Sequence, residues 1–302
     1  MPGLFHRPTE RRNFLKVIST AGAATVLAGC SSAPKTASAA APGKSLHLAL
    51  LSDTHVAGNK ADTNRGFKPW DNLNKVVGEV EEARPEGVIH CGDAARLEGK
   101  PEDYREVKTL LSPLSAFAPV FIALGNHDDR ANFNQVFTQP SPNKAGIKDK
   151  HVLAYEEQEM RFVILDSLMF PNKTPGHLGK EQRTWLKEYL ATKSDKPVII
   201  FVHHTLTDND GDLLDAHQLF EILAPHQHAK AIFFGHSHVW EIKERDHLKL
   251  INLPAIGYNF RDQDPVGWVD ARFDRNGVDL TLRALGGNTT GDRKITRVDW
   301  IA

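Results

Sequence analysis

Phe121-Ile122-Ala123-Leu124-Gly125-Asn126-His127-Asp128-Asp129-Arg130 is an apolar run that breaks, at a single glycine, into five consecutive polar side chains. Val120 to Leu124 reads as a buried strand. Asn, His and Asp gathered at the end of such a strand cost several kcal/mol to bury unless partners or a metal satisfy them. In an open α/β sheet, ligands sit in the crevice beyond the carboxyl ends of the strands. Other strands ending in the same way would therefore point to one shared site.

Four more do. Leu48 to Ser52 runs into Asp53-Thr54-His55, and Gly87 to Cys91 into Gly92-Asp93. Val198 to Val202 is followed by His203-His204, and Ala231 to Phe234 by Gly235-His236-Ser237-His238. One such ending is ordinary turn chemistry. Five, all delivering Asp, Asn or His, indicate a metal site.

The chain has 302 residues, enough for one sizeable core and one or two domains. A formal net charge of -1 gives no basic footprint of the kind that nucleic-acid binding needs. The basic residues at the start serve another purpose. Arg11-Arg12-Asn13-Phe14-Leu15-Lys16 resembles the twin-arginine export motif, and Val17 to Gly29 follows as a short apolar segment, too short to span a bilayer. Leu27-Ala28-Gly29-Cys30 resembles a bacterial lipobox. The expectation is a twin-arginine signal peptide over 1–29, with Cys30 as the lipidated first residue. A flexible Ser-, Ala- and Pro-rich tether follows to residue 43, then one folded domain over 44–302. Cys91, the only other cysteine, reads as a small buried hydrophobe, and no internal disulfide framework is available.

Within the domain, strands alternate with helices. Helical spacing is read over Asn72–Ala83, Pro101–Ser112, Leu178–Leu190 and Asp212–Leu223. Further strands are read around Val152–Ala154, Phe162–Leu165, Val239–Ile242 and Leu248–Leu253. Trp268–Phe273 and Val278–Leu282 form a hairpin about Asn276-Gly277, a pair that readily takes positive φ.

Asp53-x-His55, Gly92-Asp93, Gly125-Asn126-His127-Asp128, His203 and Gly235-His236-x-His238 together resemble, in order, the signature of calcineurin-like metallophosphoesterases. Leu165-Asp166-Ser167 and Leu178-Gly179-x-x-Gln182-x-x-Trp185-Leu186 resemble the middle segment of that family. The resemblance implies an α/β fold, a four-layer α/β/β/α sandwich, with a two-metal site along one edge. It implies that Asp53, His55 and His238 hold one cation, that Asn126, His203 and His236 hold the other, and that Asp93 bridges them. A hydroxide acidified by both cations would attack phosphorus. His127, supported by Asp128, would steady the phosphate oxygens or protonate the leaving group. A thiolate-free N/O set suits Mn, Fe, Zn or Co.

Gly125 to Arg130, with Asn132-Phe133 following, most resembles the cyclic-nucleotide and glycerophosphodiester phosphodiesterase branch. A diester carries one negative charge and a monoester nearly two. Sites for monoesters usually add a fixed cation, for which arginine is well suited. Arg96 and Arg130 are the candidates near the motifs, the one free to face solvent and the other flanked by Asp128 and Asp129. Hydrolysis of small-molecule phosphodiesters is the reading favoured. A phosphatase of the same superfamily, or an exported binding lipoprotein without turnover, are the alternatives. His204, which Thr205-Leu206 follow, is left between lining the site and packing behind it. The expected location is the periplasmic or cell-envelope side, with membrane contact only through the lipid at Cys30.

Overall fold

Leu46, Leu48 and Leu50 point to one side of the first long strand, and Ala49 and Leu51 to the other. All five are buried, so this strand is covered on both faces, and the two-residue period of a strand assigns them to two different cores. The structure, a computed structural model, describes residues 4–5, 45–138, 143–192 and 194–301. The expected signal peptide, lipidated cysteine and tether lie outside these residues except for Leu4–Phe5.

In chain order the elements are β1 (Leu4–Phe5), β2 (Leu46–Leu51), α1 (Pro69–Ala83), β3 (Gly87–His90), α2 (Pro101–Leu111), β4 (Val120–Ile122) and α3 (Arg130–Val136). Then come β5 (Leu153–Glu157), β6 (Met160–Ile164), α4 (Lys180–Leu190), β7 (Val198–Phe201), α5 (Ala216–Leu223) and β8 (Ala229–Phe234). The chain closes with β9 (Glu241–Arg245), β10 (Leu248–Asn252), β11 (Pro265–Asp274), β12 (Gly277–Gly287) and β13 (Ile295–Asp299).

Two sheets result, ordered β1-β4-β3-β2-β11-β12-β13 and β5-β6-β7-β8-β10-β9. In the first, β2, β3 and β4 are parallel and β11 runs antiparallel to β2. In the second, β6, β7, β8 and β10 are parallel, with β5 and β9 as antiparallel edges. Between the sheets, Leu48, Leu50, Ile89 and Phe121 meet Phe162, Ile199, Phe201 and Phe233. The Cys91 thiol lies in this layer, as expected of a buried hydrophobe. On the outer face of the first sheet, Leu73, Val76 and Val80 of α1 and Val107 and Leu110 of α2 cover Ala49, Leu51, Val88 and Val120. On the other outer face, Leu186 and Leu190 of α4 and Leu219 and Leu223 of α5 cover Val163, Ile200 and Ile232. The layers are α/β/β/α, as the sequence predicts.

The differences from expectation are local. The short helix α3 was not anticipated. Asp129 caps it, its side chain accepting from Asn132 N at 2.8 Å. Helix α5 starts at Ala216 rather than Asp212, because the Asp212 carboxylate accepts from Thr205, Thr207 and Asn209 in the preceding loop. Among the described residues, no helix is long and apolar enough to cross a membrane.

Candidate metal centre

The five polar strand ends project from β2, β3 and β4 of one sheet and β7 and β8 of the other, and they meet along one edge of the sandwich. Backbone bonds lock them together. Asp53 N donates to Gly92 O and His55 N to Asp93 O, both at 3.0 Å, and Gly235 N donates to His203 O at 2.9 Å. The turns are sharp. Asp53, His55, Asp93, His236 and His238 all take positive φ, between 47° and 69°. A non-glycine residue held there costs on the order of 1–3 kcal/mol, and such residues cluster where geometry serves function. Gly92 has a φ of 97°, and a Cβ on Gly125 would overlap the Asp93 carboxylate. Glycine is required at both.

All seven expected ligands are brought together. Three overlapping groups, Asp53–His55–His238, Asp93–His203–His236 and His55–Asp93–His127, each place their donor atoms within 4.8 Å of one another. Asp93 belongs to two of them. Its Oδ2 stands 3.8 Å from His55 Nε2 and 3.3 Å from His203 Nε2, while its Oδ1 accepts from His127 N at 2.8 Å. One carboxylate oxygen thus faces both clusters.

The tautomers test whether cations fit. A carbonyl can only accept, so the ring nitrogen against it must carry the proton. His203 Nδ1 lies 2.9 Å from Cys91 O, His236 Nε2 lies 3.0 Å from Gly211 O, and His238 Nδ1 lies 2.6 Å from Tyr258 O. Each neutral ring is left with a lone pair turned inward. His236 Nδ1 and His203 Nε2 then confront Asn126 Oδ1 at 2.9 and 3.3 Å, and His238 Nε2 confronts Asp53 Oδ1 at 3.5 Å. Buried acceptors facing acceptors cost several kcal/mol. Positive charge at two points removes that cost. The residues fit a dinuclear N/O site.

Electrostatics agree. Burial alone would lower His203, but the Asp93 carboxylate, by charge and hydrogen bond, and Asp53 push it up to about 9. Burial alone would raise Asp53 and Asp93, yet the neighbouring histidines hold both well below the usual carboxylate range. Burial pushes His55 down to about 3 and His236 down to about 4, leaving their lone pairs available.

His127 is half-buried, its ring centroid 5.3 Å from that of His55. The expectation that Asp128 supports it is corrected. His127 Nδ1 meets Leu97 O at 3.0 Å, and Asp128 points the other way. Fully buried, Asp128 accepts from Asp93 N at 2.9 Å, Gly125 N at 2.8 Å, Ala95 N at 3.2 Å and the Tyr104 hydroxyl at 3.0 Å. It ties the Asp93 turn to the Asn126 turn. Burial and the Asp93 charge push its carboxyl up to about 6 against the pull of the Gly125 and Ala95 N–H groups.

His204 packs behind the donors rather than among them. Its Nδ1 meets Ser167 Oγ at 2.7 Å and its Nε2 meets Thr174 O at 3.0 Å. Both arginines near the motifs are engaged. Arg130 pairs with Asp166 through two bonds of 2.6 and 2.7 Å, not with Asp128 or Asp129, and Arg96 pairs with Asp62 at 2.7 Å. The orienting carbonyls of Leu97, Gly211 and Tyr258 could not be found in the sequence, because every residue carries one.

The 3′,5′-cyclic adenosine monophosphate phosphodiesterase CpdA of Pseudomonas aeruginosa is 26% identical over 263 residues, covering 84% of this chain and 91% of that protein. The glycerophosphodiester phosphodiesterase GpdQ of Enterobacter lignolyticus is 26% identical over 220 residues, covering 69% of this chain and 76% of that protein. Among solved structures, a dimetal phosphatase from Danio rerio superposes with a TM-score of 0.65 at 15% identity, covering 84% of this chain and 99% of that one, a likeness of fold. The profile of the calcineurin-like phosphoesterase family matches residues 46–240, and this chain belongs to that family.

Proposed function

We propose that this chain hydrolyses small-molecule phosphodiesters at a dinuclear centre, with Asp53, His55 and His238 holding one cation, Asn126, His203 and His236 the other, and Asp93 shared. The observation that carries the reading is the Asp93 carboxylate, one oxygen of which faces both donor clusters. Bound cations supply Lewis acidity, neutralising charge on the phosphoryl oxygens and lowering the pKa of water. The Leu97, Gly211, Cys91 and Tyr258 carbonyls fix the rings so that little reorganisation is needed. His127, its Nδ1–H on Leu97 O, keeps Nε2 for the substrate, and a proton there can pass to the departing oxygen. The N/O donors suit Mn, Fe, Zn or Co.

The choice of diester rests on charge. A monoester needs a further cation, and Arg130 and Arg96 are committed to Asp166 and Asp62. Similarity to CpdA and GpdQ, both named as phosphodiesterases, supports the same choice. Comparing kcat/KM for bis(p-nitrophenyl) phosphate and p-nitrophenyl phosphate holds the leaving group constant. The diester should be preferred. A monoester preference of tenfold, about 1.4 kcal/mol at the transition state, would make the chain a phosphatase instead.

We further propose twin-arginine export and lipid attachment at Cys30, supported by Arg11-Arg12-Asn13-Phe14-Leu15-Lys16 and Leu27-Ala28-Gly29-Cys30. The enzyme would then act on the periplasmic or cell-envelope side.

A further inference from the structure

The rings of His127, His55 and His238 form a row across the candidate centre, with centroids 5.3 and 5.1 Å apart. One more ring extends it. Phe260 stacks on His238 with centroids 4.3 Å apart and planes 22° apart, and Tyr258 meets its edge at 5.7 Å. A lone exposed phenylalanine is unremarkable on most surfaces. This one is 46% exposed and stacks on a candidate metal ligand.

Its backbone is tied down on every side. Arg65 Nη2 donates to Phe260 O at 2.7 Å, and its guanidinium lies over the ring at 5.7 Å from the centre, far enough to leave the ring 46% exposed. Asn259 Nδ2 donates to Asp264 O at 2.8 Å, and Arg261 holds Asp264 through bonds of 2.6 and 2.9 Å. Upstream, Gly257 N donates to Asp53 O at 2.9 Å. The segment that carries Phe260 is therefore built into the same framework as Asp53 and His238. Its ring is a half-exposed apolar surface held against His238, at the rim of the candidate centre.

We propose that Phe260 is a stacking platform for a nucleobase, so that the favoured diesters are those of nucleotides rather than of glycerol. The inference rests on the phosphodiesterase reading and narrows it. Bases stack on aromatic side chains with little regard to sequence, because each has a π-face. A glycerol arm has none and gains nothing from the ring.

The test compares wild type with Phe260→Ala, Phe260→Leu and Phe260→Trp on 3′,5′-cyclic AMP and sn-glycero-3-phosphocholine. For cyclic AMP, kcat/KM should fall at least about tenfold in the Ala and Leu variants, mainly through KM, and recover in the Trp variant. For glycerophosphocholine it should stay unchanged in all three. Equal losses on both substrates would mean that the ring merely supports His238, and no loss on either would mean that it contacts nothing. Both outcomes overturn the proposal. A wild-type enzyme that cleaves neither diester would overturn the phosphodiesterase reading, and binding then decides the platform separately. Titrated calorimetrically into the metal-loaded protein, AMP should bind at least about tenfold tighter than ribose 5-phosphate, and Phe260→Ala should abolish the difference. A preference for AMP that survives in Phe260→Ala would refute the platform.

Discussion

Asp128 sits in the middle of the family signature, yet its hydrogen bonds give it a structural task. Replacing it by Ala removes the acceptor for Asp93 N, Gly125 N, Ala95 N and the Tyr104 hydroxyl, all buried. A buried donor left unsatisfied costs about 1–3 kcal/mol. The Tyr104 hydroxyl keeps Asp129 O within 3.4 Å, which leaves three stranded N–H groups besides that of Ala94, whose bond to Asp128 is long at 3.4 Å. The loss should be about 3–9 kcal/mol, against roughly 5–15 kcal/mol for a whole domain. Asp128→Asn keeps one oxygen and should cost about 2 kcal/mol, since its NH2 group confronts donors. Guanidinium unfolding of the metal-free proteins gives the stabilities, and titration gives the metal affinities. Both should fall together, because the stranded groups belong to the turns that carry Asp93 and Asn126. At saturating metal, whatever activity is lost should be the same for nitrophenyl and alkyl diesters. Stability within 1 kcal/mol of wild type, with a loss confined to alkyl leaving groups, would refute this and return Asp128 to the role of helping His127 transfer a proton.

His127→Ala should retain both metals and lose about 10²–10⁴-fold in turnover of alkyl diesters, with a smaller loss for nitrophenyl diesters, whose leaving group needs no proton; equal losses would assign His127 to oxyanion stabilisation. Because its folded pKa is raised from 6.5 to about 9, His203 stabilises the metal-free fold fully below pH 6.5, and that contribution is lost as pH rises through 9. Metal binding requires the neutral ring, so affinity should climb with pH up to about 9, roughly tenfold per unit for each proton displaced; a flat profile over that range would remove His203 from the ligand set. Replacing Arg11 and Arg12 together by Lys should strand the protein in the cytoplasm, as cell fractionation would show, and unchanged export would refute the twin-arginine proposal.

The donor set was legible because the strands advertise their ends. An apolar run such as Val120 to Leu124 can stop in Gly-Asn-His only where something satisfies the polar groups, and the seven side chains that the family resemblance picked out from those strand ends lie together. The layering was legible from the same runs, since strands buried on both faces need cover on both. What the sequence concealed was direction. Asp128 and His127 are adjacent, but the tight turn sends one inward to the backbone and the other toward solvent. Helix α3 was hidden because its first residues belong to the polar stretch, although Asp129 with Asn132 three residues on is a capping pattern. Arg130 looked neutralised by its neighbours, and only tertiary structure reveals Asp166 as its partner.

The shared carboxylate bears most directly on how the centre is built. Metal content per chain, measured by inductively coupled plasma mass spectrometry on wild type and Asp93→Ala and read beside hydrolysis of bis(p-nitrophenyl) phosphate, tests it. Wild type should hold two ions and turn over the diester, while Asp93→Ala should hold one or none and be inactive. An Asp93→Ala protein with two tightly bound ions and normal turnover would contradict the dinuclear assignment.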